Sequence, residues 1–130
     1  MTYPIKQAFE AKERAYAPYS NFKVGAALLC TDGSVYIGCN IENSSYPVTV
    51  CAERVALGSA VADGKREFQA IVITGGEDYC YPCGMCRQAL AEFCKEGFEI
   101  VVAKSENDYK VYKMNDLLPK SFVFDNEISI

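Results

Sequence analysis

Ile71-Val72-Ile73 is an uninterrupted apolar stretch within an expected strand over residues 68–74, and a strand of that kind has no polar side to present to water. It needs cover on both faces, which is the situation of an α/β sheet with helices above and below. Residues 99–103 repeat the pattern as a second buried strand. Around these runs, apolar positions recur at helical spacing. Ile5, Ala8, Phe9, Ala15 and Tyr16 predict an amphipathic helix over residues 5–16, stopped by Pro18. Ala52, Val55, Ala56 and Ala60 predict a second helix over residues 51–62, packed through small side chains and ending near Asp63-Gly64. Residues 83–96 read as a third, with Gly97 as its stop. Apolar runs at 24–30 and 35–39 flank Thr31-Asp32-Gly33-Ser34, whose Asp-Gly step marks a β-hairpin. A weaker strand at 109–112 and a helical turn at 114–118 complete the order α-β-β-α-β-α-β-β. The expectation is an α/β fold in which a mixed sheet is covered by helices on both faces.

With 130 residues, half of them hydrophobic, the chain has enough apolar material for one core and one domain, residues 1–130. Thirteen basic against 17 acidic side chains, a net charge of −4 with no Lys/Arg cluster, offer no surface for tracking phosphates. A small-molecule partner is expected, and a nucleic-acid polymer is not. The N-terminal residues lack the apolar core of a signal peptide, and no apolar run is long enough to span a bilayer. The expected location is the cytoplasm, with no membrane partner.

The chain contains no His and seven Cys, so a transition-metal site must draw on thiolates and carboxylates. An odd cysteine count without a secretory signal argues against a disulfide framework. Cys30, Cys39 and Cys94 sit among apolar neighbours and read as small buried hydrophobes. The others concentrate in Cys51-Ala52-Glu53 and in Cys80-Tyr81-Pro82-Cys83-Gly84-Met85-Cys86. Cys83 and Cys86 are neighbours on one helical face, and Cys51 opens the preceding helix, so two helix N-termini would converge on one ion and favour thiolate. Three sulfur ligands leave the fourth tetrahedral position of Zn²⁺ to a water, and Glu53 is a non-ligand acid able to move its proton. Cys51 and Glu53 stand about 200° apart on an ideal helix, so they share a site only if the metal lies beyond the helix end.

Three thiolates leave zinc with net negative charge, which calls for a nearby cation, and Arg54 is the candidate to hydrogen-bond a thiolate. Its alternative is a solvated place on the helix surface. For the cysteines the alternative is a closed, structural four-sulfur zinc site that includes Cys80. A thioredoxin-type pair at Cys83 and Cys86 leaves Cys51-Ala52-Glu53 unexplained, and Cys94 breaks the spacing of a bacterial iron–sulfur run.

Cys51-Ala52-Glu53 together with Pro82-Cys83-Gly84-Met85-Cys86-Arg87-Gln88 resembles the cytidine deaminase family of zinc nucleoside deaminases. The resemblance extends through residues 17–27, through Gly38-Cys39-Asn40-Ile41-Glu42-Asn43 and to Leu117-Leu118-Pro119. It implies a three-layer α-β-α fold with a five-stranded mixed sheet, and one zinc per subunit on Cys51, Cys83 and Cys86, with Glu53 as proton shuttle. Asn40 and Glu42 would bind ribose hydroxyls, Phe22 would stack on the pyrimidine, and the Ala52 backbone would meet the polar edge of the base. Small three-cysteine members are homotetramers with active sites at subunit boundaries, so Phe122, or alternatively Phe124, would reach a neighbour's substrate. The activity implied is hydrolytic deamination of free cytidine or deoxycytidine in pyrimidine salvage. Blasticidin S deaminase resembles the chain at the zinc motifs but lacks the Asn-x-Glu pair. Residue by residue, Asn40 and Glu42 share one side of an extended segment and present an amide and a carboxylate, groups suited to a diol. Phe22 taken alone reads better as a core aromatic, and only its place in the resembling segment reverses that.

Overall fold

The computed structural model describes residues 2–94 and 96–124. Its elements are α1 (Ile5–Glu13), β1 (Val24–Cys30), β2 (Val35–Cys39), α2 (Ala52–Ala62), β3 (Phe68–Gly75), α3 (Gly84–Phe93), β4 (Glu99–Ser105), β5 (Asp108–Lys113) and α4 (Met114–Leu117). A 3₁₀ turn, Tyr46–Val48, lies between β2 and α2. The strands form one sheet in the order β2-β1-β3-β4-β5. β3 and β4 run parallel and every other neighbouring pair antiparallel, so the sheet is mixed.

The period-two alternation of strand side chains divides the core between two faces. Ala26, Leu28 and Cys30 of β1, Ile71 and Ile73 of β3 and Ile100 of β4 pack with Ala52, Ala56 and Ala60 of α2 and Leu90 of α3. Ala27, Val72, Val101 and Ala103 point the other way and pack with Ala8 of α1. This is the expected three-layer arrangement, and the parallel pair at its centre is apolar on both sides as anticipated. Among the described residues, no helix is long and apolar enough to cross a membrane.

Three details differ from the sequence reading. The first helix ends at Glu13, well before Pro18. Tyr16 instead bridges to Ile41, donating its N–H to Asn40 O at 3.0 Å and accepting from Glu42 N at 2.8 Å. A non-local backbone ladder has taken over groups that a longer helix would have paired within itself. The third helix ends at Phe93, because Cys94 is already extended and, with Phe98, turns into the core. Lys95, inside the expected helix, lies outside the described residues. Cys30 and Cys94 are buried as expected, whereas Cys39, the last residue of edge strand β2, is only half-buried.

One glycine sets the distance between α2 and the sheet. A Cβ on Gly38 of β2 would fall 2.2 Å from Ala52 O and 2.4 Å from Ala56 N, so the first turn of α2 rests directly on the strand backbone. No flexible side chain is available there to move aside. Gly38→Ala is expected to destabilise the protein by about 3 kcal/mol, the upper end of the usual overpacking range, with a lowered urea midpoint as the readout. An unchanged midpoint would show that α2 is free to shift.

Candidate functional site

Cys51 and Cys83 each occupy the residue immediately before a helix, at the N-termini of α2 and α3, with extended backbone angles (φ −74°, ψ 154° and φ −69°, ψ 169°). Neither is bound to the helical wheel that follows it. The apparent 200° separation of Cys51 and Glu53 therefore does not arise, since only Glu53 lies within the helix. Cys86, one turn into α3, is fully buried. The sulfurs of Cys51, Cys83 and Cys86 all lie within 4.8 Å of one another. Cys51 Sγ is 3.9 Å from Cys83 Sγ, which is 3.6 Å from Cys86 Sγ.

That triangle is a test of fit. Two sulfurs on a tetrahedral zinc at the usual bond length are about 3.8 Å apart, close to the observed separations. The donor set, all thiol, also suits zinc over the harder cations. Cys80 is not part of the cluster. It is half-buried against the apolar core, where burial pushes its thiol up to about 11. The three sulfurs thus form an open site with a fourth position for a water, and the closed four-sulfur alternative loses its fourth ligand.

Electrostatics around the sulfurs follow from their neighbours. Hydrogen bonds from the Cys86 thiol and then from Arg54 hold Cys51 down at about 5, although burial works against them. Arg54 Nη2 is 3.5 Å from Cys51 Sγ, so the residue is not a solvated surface Arg. Its buried Nε has no hydrogen-bond partner among the described residues. Cys86 is shifted the other way, chiefly through its bond to Cys51 and then by burial. Glu53 is 4% exposed, and burial pushes its carboxyl up to about 7, with the negative charge of Cys51 adding to the effect. A buried acid that holds its proton more firmly than a carboxyl in water stands beside the sulfurs, in the first turn of α2.

The other residues singled out from sequence form a second group, built around residues 17–24. Asn40 is buried, its Oδ1 accepting from Val24 N at 2.9 Å and its Nδ2 donating to Phe22 O at 2.8 Å. Glu42 accepts from Tyr19 N at 2.9 Å and Ser20 N at 3.1 Å, and also from Ser20 Oγ. The Ser20 hydroxyl is the main reason its carboxyl is held below the usual range. The extended segment 40–42 does put both side chains on one side, and there they hold the loop that carries Phe22. Glu42 also lines an open cleft of about 350 Å³ with Tyr19, Ser20, Asn43, Tyr46 and Thr49. Phe22 is 47% exposed, which removes the core-aromatic reading. The Ala52 side chain is buried, while its N–H belongs to the helix end, where α-helical amides lack partners. Phe122 and Phe124 project from the surface, and Phe122 O accepts from Gln88 Nε2 of α3 at 3.0 Å.

Sequence reasoning passed over Arg87. Its Nε donates to Pro82 O and its Nη1 to Leu117 O, both at 2.7 Å, which ties the residue before Cys83 to the end of α4. The available signal was its place one residue after Cys86, in the first turns of the helix that follows Cys83.

Comparison with known proteins places this geometry. Residues 2–103 match the family model for the cytidine and deoxycytidylate deaminase zinc-binding region. A cytidine deaminase from Sporosarcina psychrophila is 47% identical over 119 residues, 91% of this chain and 88% of that one. The crystal structure of cytidine deaminase from Burkholderia pseudomallei matches with a TM-score of 0.84 at 49% identity, covering 91% of this chain and 95% of that one. A blasticidin-S deaminase from Bacillus cereus matches less, at 33% identity over 87 residues, 60% of this chain and 62% of that one. With an open three-sulfur site, a buried Glu53 beside it and a matching fold, the chain belongs to the cytidine deaminase family of zinc-dependent hydrolytic deaminases.

Proposed function

We propose that this chain, as a single domain, deaminates free cytidine and deoxycytidine to uridine and deoxyuridine with release of ammonia, a step of pyrimidine salvage. The observation that carries the reading is the buried carboxyl of Glu53 beside the triangle of Cys51, Cys83 and Cys86 sulfurs. Cys51, Cys83 and Cys86 would hold the zinc, which would supply an acidified water as the nucleophile. Glu53 takes up that water's proton at a carboxylate oxygen and passes it to N3 of the cytosine, which makes C4 electrophilic. After the hydroxide oxygen adds to C4, Glu53 takes the remaining proton of the new C4 hydroxyl and delivers it to the amino group; the C4–N4 bond breaks as the C4 carbonyl forms, and ammonia leaves. Arg54, bonded to Cys51 Sγ, withdraws negative charge from the sulfur cluster.

In this reading Phe22 stacks on the pyrimidine, the Ala52 N–H meets the base's polar edge, and Asn40 and Glu42 serve the ribose hydroxyls. Asn40 retains one amide N–H beyond its two backbone bonds. The protein works as a homotetramer whose sites lie at subunit boundaries, with Phe122, 72% exposed in the single chain, reaching a neighbour's substrate. Its compartment is the cytoplasm, where reducing conditions keep free cysteines available as ligands.

Cytidine absorbance on addition of the purified protein tests the activity. Cytidine and deoxycytidine should both be consumed with stoichiometric ammonia, a zinc chelator should stop the reaction, and added zinc should restore it. Turnover of blasticidin S with neither nucleoside consumed would overturn the substrate reading.

A further inference from the structure

Gly76 follows β3 directly and has a left-handed backbone, φ +62°. A Cβ there would stand 2.7 Å from Cε1 of Phe22, 3.2 Å from Cζ and 3.7 Å from Cδ1. The Phe22 ring therefore lies against the bare Cα of a residue 54 positions away in sequence. The backbone of Phe22 is held independently, since its O accepts from Asn40 Nδ2 at 2.8 Å and its N donates to Ser20 Oγ at 3.0 Å. With the main chain fixed, the remaining freedom of Phe22 is rotation of its side chain. Gly76 backs the ring on one side, and its own peptide is held by Lys12 Nζ, 3.4 Å from Gly76 O.

We propose that Gly76 is a positioning residue for nucleoside binding: the absence of a side chain lets the Phe22 ring rest where it meets the pyrimidine. The inference rests on the reading that Phe22 stacks on the base. Any L side chain at position 76 pushes the ring from its seat, and the cost falls on substrate affinity, because neither residue belongs to the sulfur cluster or touches Glu53's proton. Preorganising an aromatic surface reduces the ordering that binding would otherwise require.

The test is a double-mutant cycle on steady-state kinetics. Phe22→Ala should raise KM for cytidine about 10-fold or more, as loss of one base-stacking contact does. Gly76→Ala should raise KM by about the same order, leaving kcat within about twofold and zinc content at one per chain. In the Phe22→Ala background, Gly76→Ala should add no further rise. Gly33→Ala provides the control for backbone strain, because Gly33 also has a positive φ, +92°, but nothing lies within 4 Å of its would-be Cβ. It should lower the melting temperature and leave KM alone. If Gly76→Ala fails to fold, Gly76→Asn carries the same Cβ into a backbone that Asn tolerates better.

An unchanged KM in Gly76→Ala, or the same fold-rise with and without Phe22, would overturn the role of Gly76 while leaving the stacking reading intact. An unchanged KM in Phe22→Ala would instead overturn the stacking reading, and with it the role of Gly76 in binding.

Discussion

Glu53→Gln is expected to lose about 10⁴-fold in kcat, the upper end of what one positioned acid/base group contributes, while keeping its fold and its zinc. The side chain is 4% exposed and sits in the first turn of α2 beside the Cys51 and Cys86 thiols. Gln has the same size and fills the same space. It neither accepts a proton from water nor returns one to a leaving amine, so both proton transfers lose their carrier. No sulfur ligand is altered, and metal analysis should still find one zinc per chain. Replacing a buried ionisable group by a neutral amide should leave the melting temperature unchanged or slightly raised, since less charge is taken out of water. A Glu53→Gln enzyme turning over cytidine at close to the parental rate would remove Glu53 from the mechanism.

Cys86→Ser is expected to abolish both zinc retention and activity. Cys86 is the buried member of the triangle, 3.6 Å from Cys83 Sγ, and a serine hydroxyl in its place is a poor zinc ligand. Metal binding to the folded chain is also folding free energy, so the variant should unfold at a lower urea concentration than the parent. Cys80→Ser is the matched comparison. Cys80 lies close by but outside the sulfur cluster, so its variant should hold one zinc and retain activity. The pair of measurements, zinc content and urea midpoint, separates an open three-sulfur site from a closed four-sulfur one: zinc lost equally from both variants would favour the closed site.

Much of this architecture was legible because it depends on local pattern. The apolar runs around Ile71-Val72-Ile73 and Ile100-Val101-Val102 called for cover on both faces, and the helices lie there. The hairpin at Asp32-Gly33 formed with its two strands in the expected positions. Errors arose where a distant partner overrode the local signal. Tyr16 has the spacing of a helix residue, yet a backbone ladder to Ile41 holds it extended. Cys94 has the same helical credentials and is drawn into the core instead.

At the site, the residue types and their short spacings were enough to identify the chemistry. Cys51 with Glu53, and Cys83 with Cys86, are close along the chain, and a metal bound through thiolates beside a free acid follows from what those groups can do. The distance between Cys51 and Cys83 across the fold was not written in any local spacing. It depends on two helices starting at the same place, one of them laid against β2 because Gly38 has no side chain. Asn40 and Glu42 were legible as a pair on one side of a strand, but their hold on residues 19–24 became visible only when that loop folded over them. Gly76 carried no signal at all. Its importance lies in an empty space beside Phe22, and an empty space is a property of two chain segments brought together. Sequence by itself determined the reactive groups and the two-sided sheet; the tertiary structure decided which groups meet, because contact between distant segments is set by packing of the whole core rather than by the spacing of neighbours.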